Sequence, residues 1–478
     1  MTTRHKNFIN GKFVDAAGAA AIPVLNPATG EVLSEIPDTG ADQVGAAIEA
    51  AKSAQKAWEA RTPIDRAGHL RQIAVRIREN APALARTIVA EQGKVMGLAE
   101  VEVNFTADYL DYMAEWARRI EGEIVTSDRP GESIFLFRQA IGVVAGVLPW
   151  NFPFFLIARK LAPALVTGNT IVIKPSEETP NNAAMFAELL AGTDMPAGVV
   201  NMVFGKGGST GAALCENPDV GMISFTGSVE TGSRIMGAAA RNITKVNLEL
   251  GGKAPAIVCA DADLDLAATA ITASRVINSG QVCNCAERVY VERAAADEFI
   301  AKLKAKMSAS RFGDPMKDQT VDYGPLINKA GLDKVAGLVD RAKAAGAEVI
   351  TGGEIADLGQ GNYYKPTILT GCAQDSEIMQ KEIFGPVLPV NVVDSLDQAI
   401  DNANDSQYGL TSSIYTSNVG TAMRACREIK FGETYINREN FEAMQGFHAG
   451  TRKSGIGGAD GKHGLYEYTQ THMVYIQG

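Results

Sequence analysis

The chain has 478 residues, of which 46% are hydrophobic and 21% are charged, and its formal net charge at pH 7 is −10. This composition is typical of an ordinary globular protein, and the length predicts two or three domains with a cleft between them. The negative charge supplies no positive field for phosphate backbones or anionic lipids, so we expect neither nucleic acid nor a membrane as a partner.

Six cysteines are too few for a dense disulfide framework in a chain of this length, and the N-terminus lacks the apolar region of a secretory signal. We therefore expect a reducing, cytoplasmic location. An uncharged run over residues 139–158 has the length of a membrane-spanning helix, but Pro149 and Pro153 interrupt it. We interpret this run as a buried strand followed by a turn.

The N-terminal part begins with a predicted hairpin and continues with helices. Two short apolar runs in residues 8–14 flank Asn10 and Gly11, which is a strong hairpin signal. From Ala41 to about residue 120 the sequence is rich in alanine, and apolar residues recur at helical spacing. This stretch predicts three or four packed helices.

Two series of short β-branched runs then alternate with helical stretches. Because strands that alternate with helices form parallel sheets covered by helices, each series predicts one α/β domain, the first of the dinucleotide-binding type. Residues 121–139 and 466–476 fit neither series, and we interpret them as an extra sheet or a subunit contact. The predicted strands are 142–148, 170–173, 199–204, 221–225 and 245–248 in the first series, and 256–258, 288–291, 387–392, 412–415 and 434–436 in the second.

Two glycine-containing turns follow strands of the first series. The turn at residues 205–211, which includes Gly207, misses the usual dinucleotide spacing by one residue and is equally compatible with a plain strand-to-helix turn. Gly227 and Ser228 open a helix whose free N–H groups and positive end suit a pyrophosphate. Alternatively, Ser228 serves only as a helix cap.

Lys174 and Glu177 come directly after a predicted strand, at the carboxyl edge where α/β sheets bind ligands. A carboxylate there can accept hydrogen bonds from a ribose diol and would repel a 2′-phosphate, which favours NAD over NADP as the cofactor. The alternative is a solvated ion pair at a strand end. Asn151 lies in an apolar turn between two prolines, where its amide either faces a developing oxyanion or caps the turn.

Cys283 lies in a polar loop that contains glycine, and Glu249 precedes the glycine pair 251–252. A nucleophilic cysteine acts as a thiolate, so it needs a group that takes its proton or lowers its pKa. The five histidines, His448 among them, are distant from both segments in the sequence, so Glu249 is the better candidate for the base. Cys283 and Cys285 form a C-x-C pair, but no further Cys or His lies at ligand spacing, so we expect no metal.

Together these segments resemble the aldehyde dehydrogenase superfamily over essentially the whole chain. The two strongest matches are residues 248–253 (LELGGK) and 280–283 (GQVC), and residues 435–448 are most similar to bacterial lactaldehyde or glycolaldehyde dehydrogenases. Supporting matches lie at residues 149–153, 174–177, 225–228, 382–386 and 452–455.

The resemblance implies a role for each matched residue. Cys283 would be the nucleophile, Glu249 the general base that activates water, and Asn151 the oxyanion donor. The presence of Glu249 favours hydrolysis of the acyl-enzyme over transfer to coenzyme A. The implied contacts of an NAD cofactor are Lys174 and Glu177 for the adenosine ribose, Ser228 for the pyrophosphate, Glu382 and Phe384 for the nicotinamide half, and additionally Gly207, Gly227, Leu250 and Trp150.

The resemblance also implies an α/β fold with three parts and a homo-oligomer, either a tetramer or a dimer. The first part would be a Rossmann-type NAD-binding domain at residues 1–120 and 141–250. The second would be an α/β catalytic domain at residues 251–455. A small oligomerisation sheet would be built from residues 121–140 and 462–478.

The expected substrate is a small hydroxy-aldehyde, lactaldehyde or glycolaldehyde. Arg159, Asn284, Glu442 and His448 would hydrogen-bond a hydroxyl or carboxylate beside the aldehyde. Arg159 keeps succinic semialdehyde open as an alternative, and Arg159 with Glu442 could instead be a structural ion pair. A non-catalytic NAD-binding or structural relative is the alternative from another class, and the presence of both Cys283 and Glu249 argues against it.

Overall fold

A computed structural model describes residues 2–478. Within them the fifteen α-helices are α1 (Ala41–Glu59), α2 (Pro63–Glu79), α3 (Ala81–Gln92), α4 (Met96–Glu115), α5 (Phe155–Val166), α6 (Asn181–Ala191), α7 (Ala212–Cys215), α8 (Val229–Ala240), α9 (Leu264–Val276), α10 (Arg293–Ala309), α11 (Lys329–Ala344), α12 (Glu377–Gln380), α13 (Leu396–Asn404), α14 (Val419–Glu428) and α15 (Gly461–Glu467).

The twenty strands of the described residues are β1 (Asn7–Ile9), β2 (Lys12–Val14), β3 (Ala21–Leu25), β4 (Val32–Pro37), β5 (Glu123–Val125), β6 (Glu132–Ala140), β7 (Val143–Val147), β8 (Thr170–Lys174), β9 (Val200–Met202), β10 (Val220–Thr226), β11 (Lys245–Glu249), β12 (Ala254–Val258), β13 (Ala286–Glu292), β14 (Glu348–Thr351), β15 (Thr367–Thr370), β16 (Val387–Val393), β17 (Thr411–Tyr415), β18 (Glu433–Ile436), β19 (Gly455–Ile456) and β20 (Thr469–Gln477).

The N-terminal predictions are confirmed. β1 and β2 form an antiparallel hairpin, and both turn residues have positive φ, 52° at Asn10 and 75° at Gly11. This conformation matches the twist of the paired strands, which is why Asn-Gly is favoured there. The alanine-rich stretch folds into the four helices α1 to α4, and α2 and α4 pack closely against each other.

All five predicted strands of the first series lie in one eight-stranded sheet, in the order β19-β11-β10-β7-β8-β9-β1-β2. The central strands β7 to β11 are parallel, and β7 has β8 on one side and β10 on the other. The strand order therefore reverses at β7. In such sheets a ligand crevice opens beyond the carboxyl ends of the strands at this reversal.

The second series forms a seven-stranded sheet in the order β14-β15-β16-β13-β12-β17-β18. Its five predicted strands are confirmed, whereas β14 and β15 were not predicted. Each of these two strands has only four residues, and β14 is an edge strand with no fully buried position. Hydrophobic clusters fill both faces of this sheet, so it is a second core, separate from that of the first sheet.

Residues 123–140 and 469–477 form a third sheet, in the antiparallel order β20-β6-β5. This is the extra sheet that was one of the two interpretations of these segments. The three sheets are consistent with the proposed domain limits, which remain a prediction. The uncharged run at residues 139–158 contains β7 and the start of α5. Within residues 2–478, no helix is both long enough and apolar enough to cross a membrane.

Candidate active site

A cavity of about 140 Å³ opens where the carboxyl ends of β10 and β11 meet α4, α5 and the loop before β13. Cys283, Glu249 and Asn151, which are far apart in the sequence, all line it. The structure therefore brings the three main candidate residues into one space. The four predicted substrate residues also line this cavity, namely Arg159, Asn284, Glu442 and His448.

The loop that carries Cys283 is held by an unusual run of left-handed backbone. After α9, the φ angles of Asn278, Ser279 and Gly280 are 48°, 60° and 75°. A Cβ atom on Gly280 would lie 2.3 Å from the carbonyl oxygen of Gly385, so only glycine fits there. The Ser279 hydroxyl donates to the Gly324 carbonyl at 2.8 Å, which fixes the reversal that points the next residues toward the cavity.

The Cys283 thiol is partly buried and lines the same cavity as the His448 side chain. Burial raises the pKa of Cys283, and the nearby His448 lowers it. His448 lies 165 positions from Cys283 in the sequence, and the fold brings the two residues into one cavity.

His448 is buried and is bound on its other side by a carboxylate. Its Nδ1 lies 2.5 Å from Oε1 of Glu433, and the hydroxyl of Tyr435 donates to Oε2 of the same glutamate at 2.5 Å. Burial lowers the pKa of His448, but Glu442 and Glu433 raise it well above the usual value. His448 is thus held next to the thiol in a position favourable to the imidazolium form.

Glu249 is the last residue of β11. Its Oε2 accepts hydrogen bonds from Lys160 at 2.9 Å and from the Thr226 hydroxyl at 2.6 Å. Burial raises the pKa of Glu249, but Lys160 and Arg159 outweigh this effect and lower it to about 2. The carboxylate is therefore charged at neutral pH. Among the described residues, its Oε1 has no hydrogen-bond partner, so this oxygen is available to a ligand.

Asn151 is hydrogen-bonded directly to the loop that carries Cys283. Its side-chain Nδ2 donates to the Gln281 carbonyl at 3.0 Å, and its own carbonyl accepts from Nδ2 of Asn278 at 3.1 Å. Because the amide nitrogen carries two hydrogens, one remains for a ligand beside Cys283.

A buried ion pair is hydrogen-bonded to the Asn151 turn. Lys94 and Glu102 have fully buried side chains and lie 2.5 Å apart, and Lys94 also donates to the Asn151 carbonyl at 2.8 Å. Oε1 of Glu102 accepts the backbone N–H groups of Phe154 and Phe155 at 2.9 and 3.1 Å. The N–H groups of Phe154 and Phe155 are among those that have no partner within α5, because they lie at its start. The Lys94–Glu102 ion pair therefore holds both the Asn151 turn and the helix that follows it.

Arg159 is largely committed to protein carboxylates. It donates to both oxygens of Asp460 and, at 3.0 Å, to Glu442. Glu442 accepts a further hydrogen bond from the side chain of Asn284, the neighbour of Cys283. Arg159, Glu442 and Asn284 therefore form a connected network, and Arg159 is bound within it rather than being a free cation.

The predicted adenosine-side residues lie at the carboxyl edge of the first sheet. Lys174 donates to Glu177 at 2.8 Å, and Glu177 accepts the backbone N–H of Gly207 at 3.1 Å. Ser228 caps α8 by accepting the N–H of Thr231 at 3.2 Å. One edge of the sheet therefore carries a cation (Lys174), a carboxylate (Glu177) and the start of a helix (at Ser228). This combination of groups fits a dinucleotide.

Residues predicted for the nicotinamide half lie next to the junction of the two main sheets. Trp150 and Phe384 meet edge to face with ring centroids 5.5 Å apart. Glu382 accepts the backbone N–H of Gly252 at 2.9 Å, and burial raises its pKa to about 7. Leu250 is buried beside this glycine pair.

The close approach at this junction depends on glycine. A Cβ atom on Gly252 would lie 2.6 Å from the carbonyl oxygen of Cys283, and one on Gly251 would lie 2.6 Å from the Glu382 carboxylate. Gly227 is constrained in the same way, since a Cβ atom there would lie 2.4 Å from the Phe225 ring. Within the described residues, no group of three or more His, Cys, Asp or Glu side chains could hold a metal ion.

Comparison with known proteins agrees with this geometry. The sequence profile described as "Aldehyde dehydrogenase family" matches residues 13–474. Lactaldehyde dehydrogenase of Escherichia coli (strain K12) is 60% identical over 477 residues, which are 100% of this chain and 99% of that protein. The chain belongs to the aldehyde dehydrogenase family. It is therefore an oxidoreductase that acts on aldehydes, and its family uses nicotinamide cofactors.

Two further relatives of this aldehyde dehydrogenase are informative. A crystal structure of lactaldehyde dehydrogenase from Escherichia coli superposes with a TM-score of 0.99 at 60% identity and covers 100% of both chains, which confirms the predicted α/β fold. The D-glyceraldehyde dehydrogenase (NADP(+)) of Picrophilus torridus is 38% identical over 475 residues, covering 98% of this chain and 96% of that protein. Family membership alone therefore does not decide between NAD and NADP.

Sequence reasoning missed several residues of the site in this aldehyde dehydrogenase. Lys160 could have been found, because Arg159 and Lys160 are adjacent charges inside the otherwise apolar helix α5. Lys94 and Glu102 carried no such signal, since charges are common in surface helices. Glu433 gave no local sign that it would meet His448.

We expect Glu102→Gln to destabilise the enzyme by about 3 to 5 kcal/mol, because it leaves Lys94 buried without a counter-charge. Its kcat should also fall, because the Asn151 turn loses its support. Denaturant unfolding and steady-state kinetics measure the two effects. Asp108 lies on α4 like Glu102 but pairs at the surface with Arg78 of α2, so Asp108→Asn is the matched control and should stay close to wild type. Wild-type behaviour of Glu102→Gln would contradict the supporting role.

Proposed function

We propose that this aldehyde dehydrogenase oxidises a small hydroxy-aldehyde, lactaldehyde or glycolaldehyde, to the carboxylic acid with NAD. The observation that carries the choice of substrate is the polar cluster of Asn284, Glu442 and His448 beside Cys283, in a cavity whose other walls are largely apolar. The relation to lactaldehyde dehydrogenase supports the same choice.

The polar cluster suits a hydroxyl group close to the aldehyde carbon. Phenylalanine rings form much of the remaining wall, and they offer a substrate hydroxyl no hydrogen bond. A site that hydrogen-bonds a substrate hydroxyl discriminates strongly against an analogue without one, because its polar groups are then left unpaired. The phenylalanines of the wall are Phe105, Phe152, Phe155 and Phe441.

The charge balance argues against succinic semialdehyde. Arg159, the residue that kept this alternative open, is already bound by Asp460 and Glu442. The carboxylate of succinic semialdehyde would enter a region in which carboxylates already outnumber cations, even with His448 protonated. The cations are Arg159, Lys160 and His448, and the carboxylates are Glu249, Glu433, Glu442 and Asp460.

In the proposed reaction the Cys283 thiolate adds to the aldehyde carbon and forms a tetrahedral thiohemiacetal. The free N–H of Asn151 and the backbone N–H of Cys283 stabilise its oxyanion, and one such donor is typically worth about 3 to 4 kcal/mol. The nicotinamide cofactor, when bound, supplies the hydride acceptor. The Cys283 thioester that remains is then hydrolysed.

Glu249 is the proposed base for hydrolysis. Its Oε1, buried and without a protein partner, can accept a proton from a water molecule, while Lys160 and Thr226 hold Oε2. The carboxylate stays ionised throughout the physiological pH range because its pKa is about 2. Hydrolysis rather than transfer to a carrier thiol makes the oxidation effectively irreversible.

NAD is the proposed cofactor because of Glu177. A carboxylate at this position can accept hydrogen bonds from the 2′- and 3′-hydroxyls of a ribose, and it repels a 2′-phosphate. The remaining cofactor contacts are proposed to be those predicted from the resemblance, with Lys174 at the same ribose and Ser228 at the pyrophosphate.

The proposed assembly is a homotetramer or dimer in the cytoplasm. Support for an oligomer comes from the third sheet, where Ile124, Phe137, Tyr475 and Ile476 expose between 49% and 80% of their surface. Several exposed apolar side chains on one small sheet commonly mark protein contacts. Support for a reducing compartment comes from the cysteines, because all six are free in the described residues.

The substrate proposal predicts a preference that depends on the hydroxyl group. The kcat/KM for lactaldehyde or glycolaldehyde should exceed that for propionaldehyde by at least about tenfold, and succinic semialdehyde should rank below all three. Initial rates of NADH formation across the four aldehydes measure this. A clear preference for succinic semialdehyde would refute the proposal.

The role of Glu249 predicts a separation of two kinetic phases. Glu249→Gln should retain a burst of NADH of about one equivalent per active site but lose about 10²- to 10⁴-fold in steady-state turnover, because the thioester forms and is not hydrolysed. Stopped-flow absorbance shows both phases. Glu467→Gln, which alters the ion pair with Lys245 at the opposite end of β11, is the control. Unchanged turnover in Glu249→Gln would rule out the assignment.

The NAD preference predicts a shift when the charge of Glu177 is removed. Glu177→Gln keeps the shape but removes the repulsion and releases Lys174, so the kcat/KM ratio of NADP to NAD should rise by about tenfold or more, equivalent to at least about 1.4 kcal/mol. The neighbouring variant Glu178→Gln, whose carboxylate instead accepts from Asn328, should leave the ratio unchanged. An equal ratio in both variants would remove the argument for NAD.

A further inference from the structure

The position of His448 is fixed by contacts of both its backbone and its side chain. Its backbone pairs with Ala459 through two hydrogen bonds of 2.9 and 2.8 Å, and its side chain is buried. Because Nδ1 is engaged by Glu433, Nε2 is the ring nitrogen left to act in the cavity that Cys283 also lines. The imidazole is therefore oriented by its carboxylate partner, and Nε2 has no other protein partner in the hydrogen-bond network of the described residues.

Glu433 is itself fixed, at the first position of β18. One of its oxygens is bound to His448 and the other accepts the hydroxyl of Tyr435. The Glu433 carboxylate, the His448 imidazole and the Cys283 sulfur thus follow one another in space. The imidazole can take the proton of the thiol, and the carboxylate on its far side supplies a negative charge that stabilises the resulting cation. This arrangement activates nucleophiles in unrelated enzymes, where the carboxylate orients the imidazole and stabilises its charged form.

We infer that His448 is a catalytic residue that ionises Cys283, and that Glu433 is the positioning residue that supports it. The S–H bond of Cys283 breaks, a bond forms between that proton and Nε2, and a thiolate paired with an imidazolium results. The inference rests on the proposed role of Cys283 as nucleophile and adds a role for His448 beyond contact with a substrate hydroxyl.

The charged groups around His448 favour this transfer on balance. Glu433 from β18 and Glu442 from the following loop stabilise the imidazolium, and both raise the pKa of His448 against the effect of burial. Glu249 at the end of β11 and Asp460 before α15 add negative charge, whereas Arg159 from α5 opposes it. At Cys283, burial raises the thiol pKa and His448 counteracts it. Removal of His448 therefore leaves burial unopposed, and the thiol pKa rises.

The test is the pH dependence of Cys283 alkylation by iodoacetamide, without substrate or cofactor. Wild type, His448→Asn and Glu433→Gln are compared, and mass spectrometry of the Cys283 peptide reports the rate. Cys426, on α14 and partly exposed, is an internal control in every sample. His463→Asn, which changes an exposed histidine on α15, is the matched control variant.

His448→Asn should slow alkylation of Cys283 at pH 7 by at least about tenfold, as expected for a rise of about one unit in the thiol pKa, and the rate should recover at higher pH. Glu433→Gln should shift the profile in the same direction by less. The kcat/KM for propionaldehyde, which has no hydroxyl to bind, should fall in parallel at pH 7.

Each result decides between two roles for His448. A slower Cys283 reaction in either folded variant, with Cys426 unchanged, supports the inference, so Glu433→Gln keeps the test valid if His448→Asn does not fold. Wild-type alkylation profiles in the folded variants would overturn it, even if KM for hydroxy-aldehydes rose, because that pattern describes a substrate ligand only. The substrate proposal is judged separately by the wild-type aldehyde preference, which this experiment does not use.

Discussion

The burial of two adjacent cations in α5 is the constraint on which the site depends. Arg159 and Lys160 lie in a helix whose residues are all buried, and an unpaired charge in such a place costs several kcal/mol. Each cation therefore requires carboxylate partners, and these come from distant parts of the chain. Lys160 binds Glu249 at the end of β11, and Arg159 binds Glu442 and Asp460. The ion pairs thus bring the candidate base and the substrate network to the same helix.

A second set of contacts holds the Cys283 loop and the Asn151 turn together. The two segments exchange hydrogen bonds, since the Asn151 side chain donates to Gln281 and the Asn278 side chain donates to Asn151. Lys94 and Glu102 support the turn from the other side. Because each segment stabilises the other, the distance between the sulfur and the amide donor is set by short polar contacts rather than by the packing of flexible side chains.

Much of the fold could be predicted from local sequence. The Asn10-Gly11 hairpin, the helices after Ala41 and the two strand series follow from turn chemistry and hydrophobic periodicity, which act over a few residues. The motifs around Cys283 and Glu249 likewise identified the main site candidates.

The remaining features depend on contacts across the fold. β14 and β15 are too short for a period to be recognised, and β19 has only two residues. Only the family resemblance placed His448 at the substrate, since its distance from Cys283 in the sequence gives no such sign, and no local pattern indicates that Glu433 lies behind it. Such pairings arise only when separate strands and loops are brought together by the folded core.

The excess of carboxylates around the cavity affects release of the acid product. Within the proposed function, a neutral aldehyde enters and an anion is generated between Glu249 and Glu442. Since like charges in a poorly solvated space repel one another more strongly than in water, the newly formed acid is bound less well than its precursor. The same electrostatic field that admits the uncharged reactant would thus drive the oxidised molecule out, and inhibition by accumulated acid would be weak.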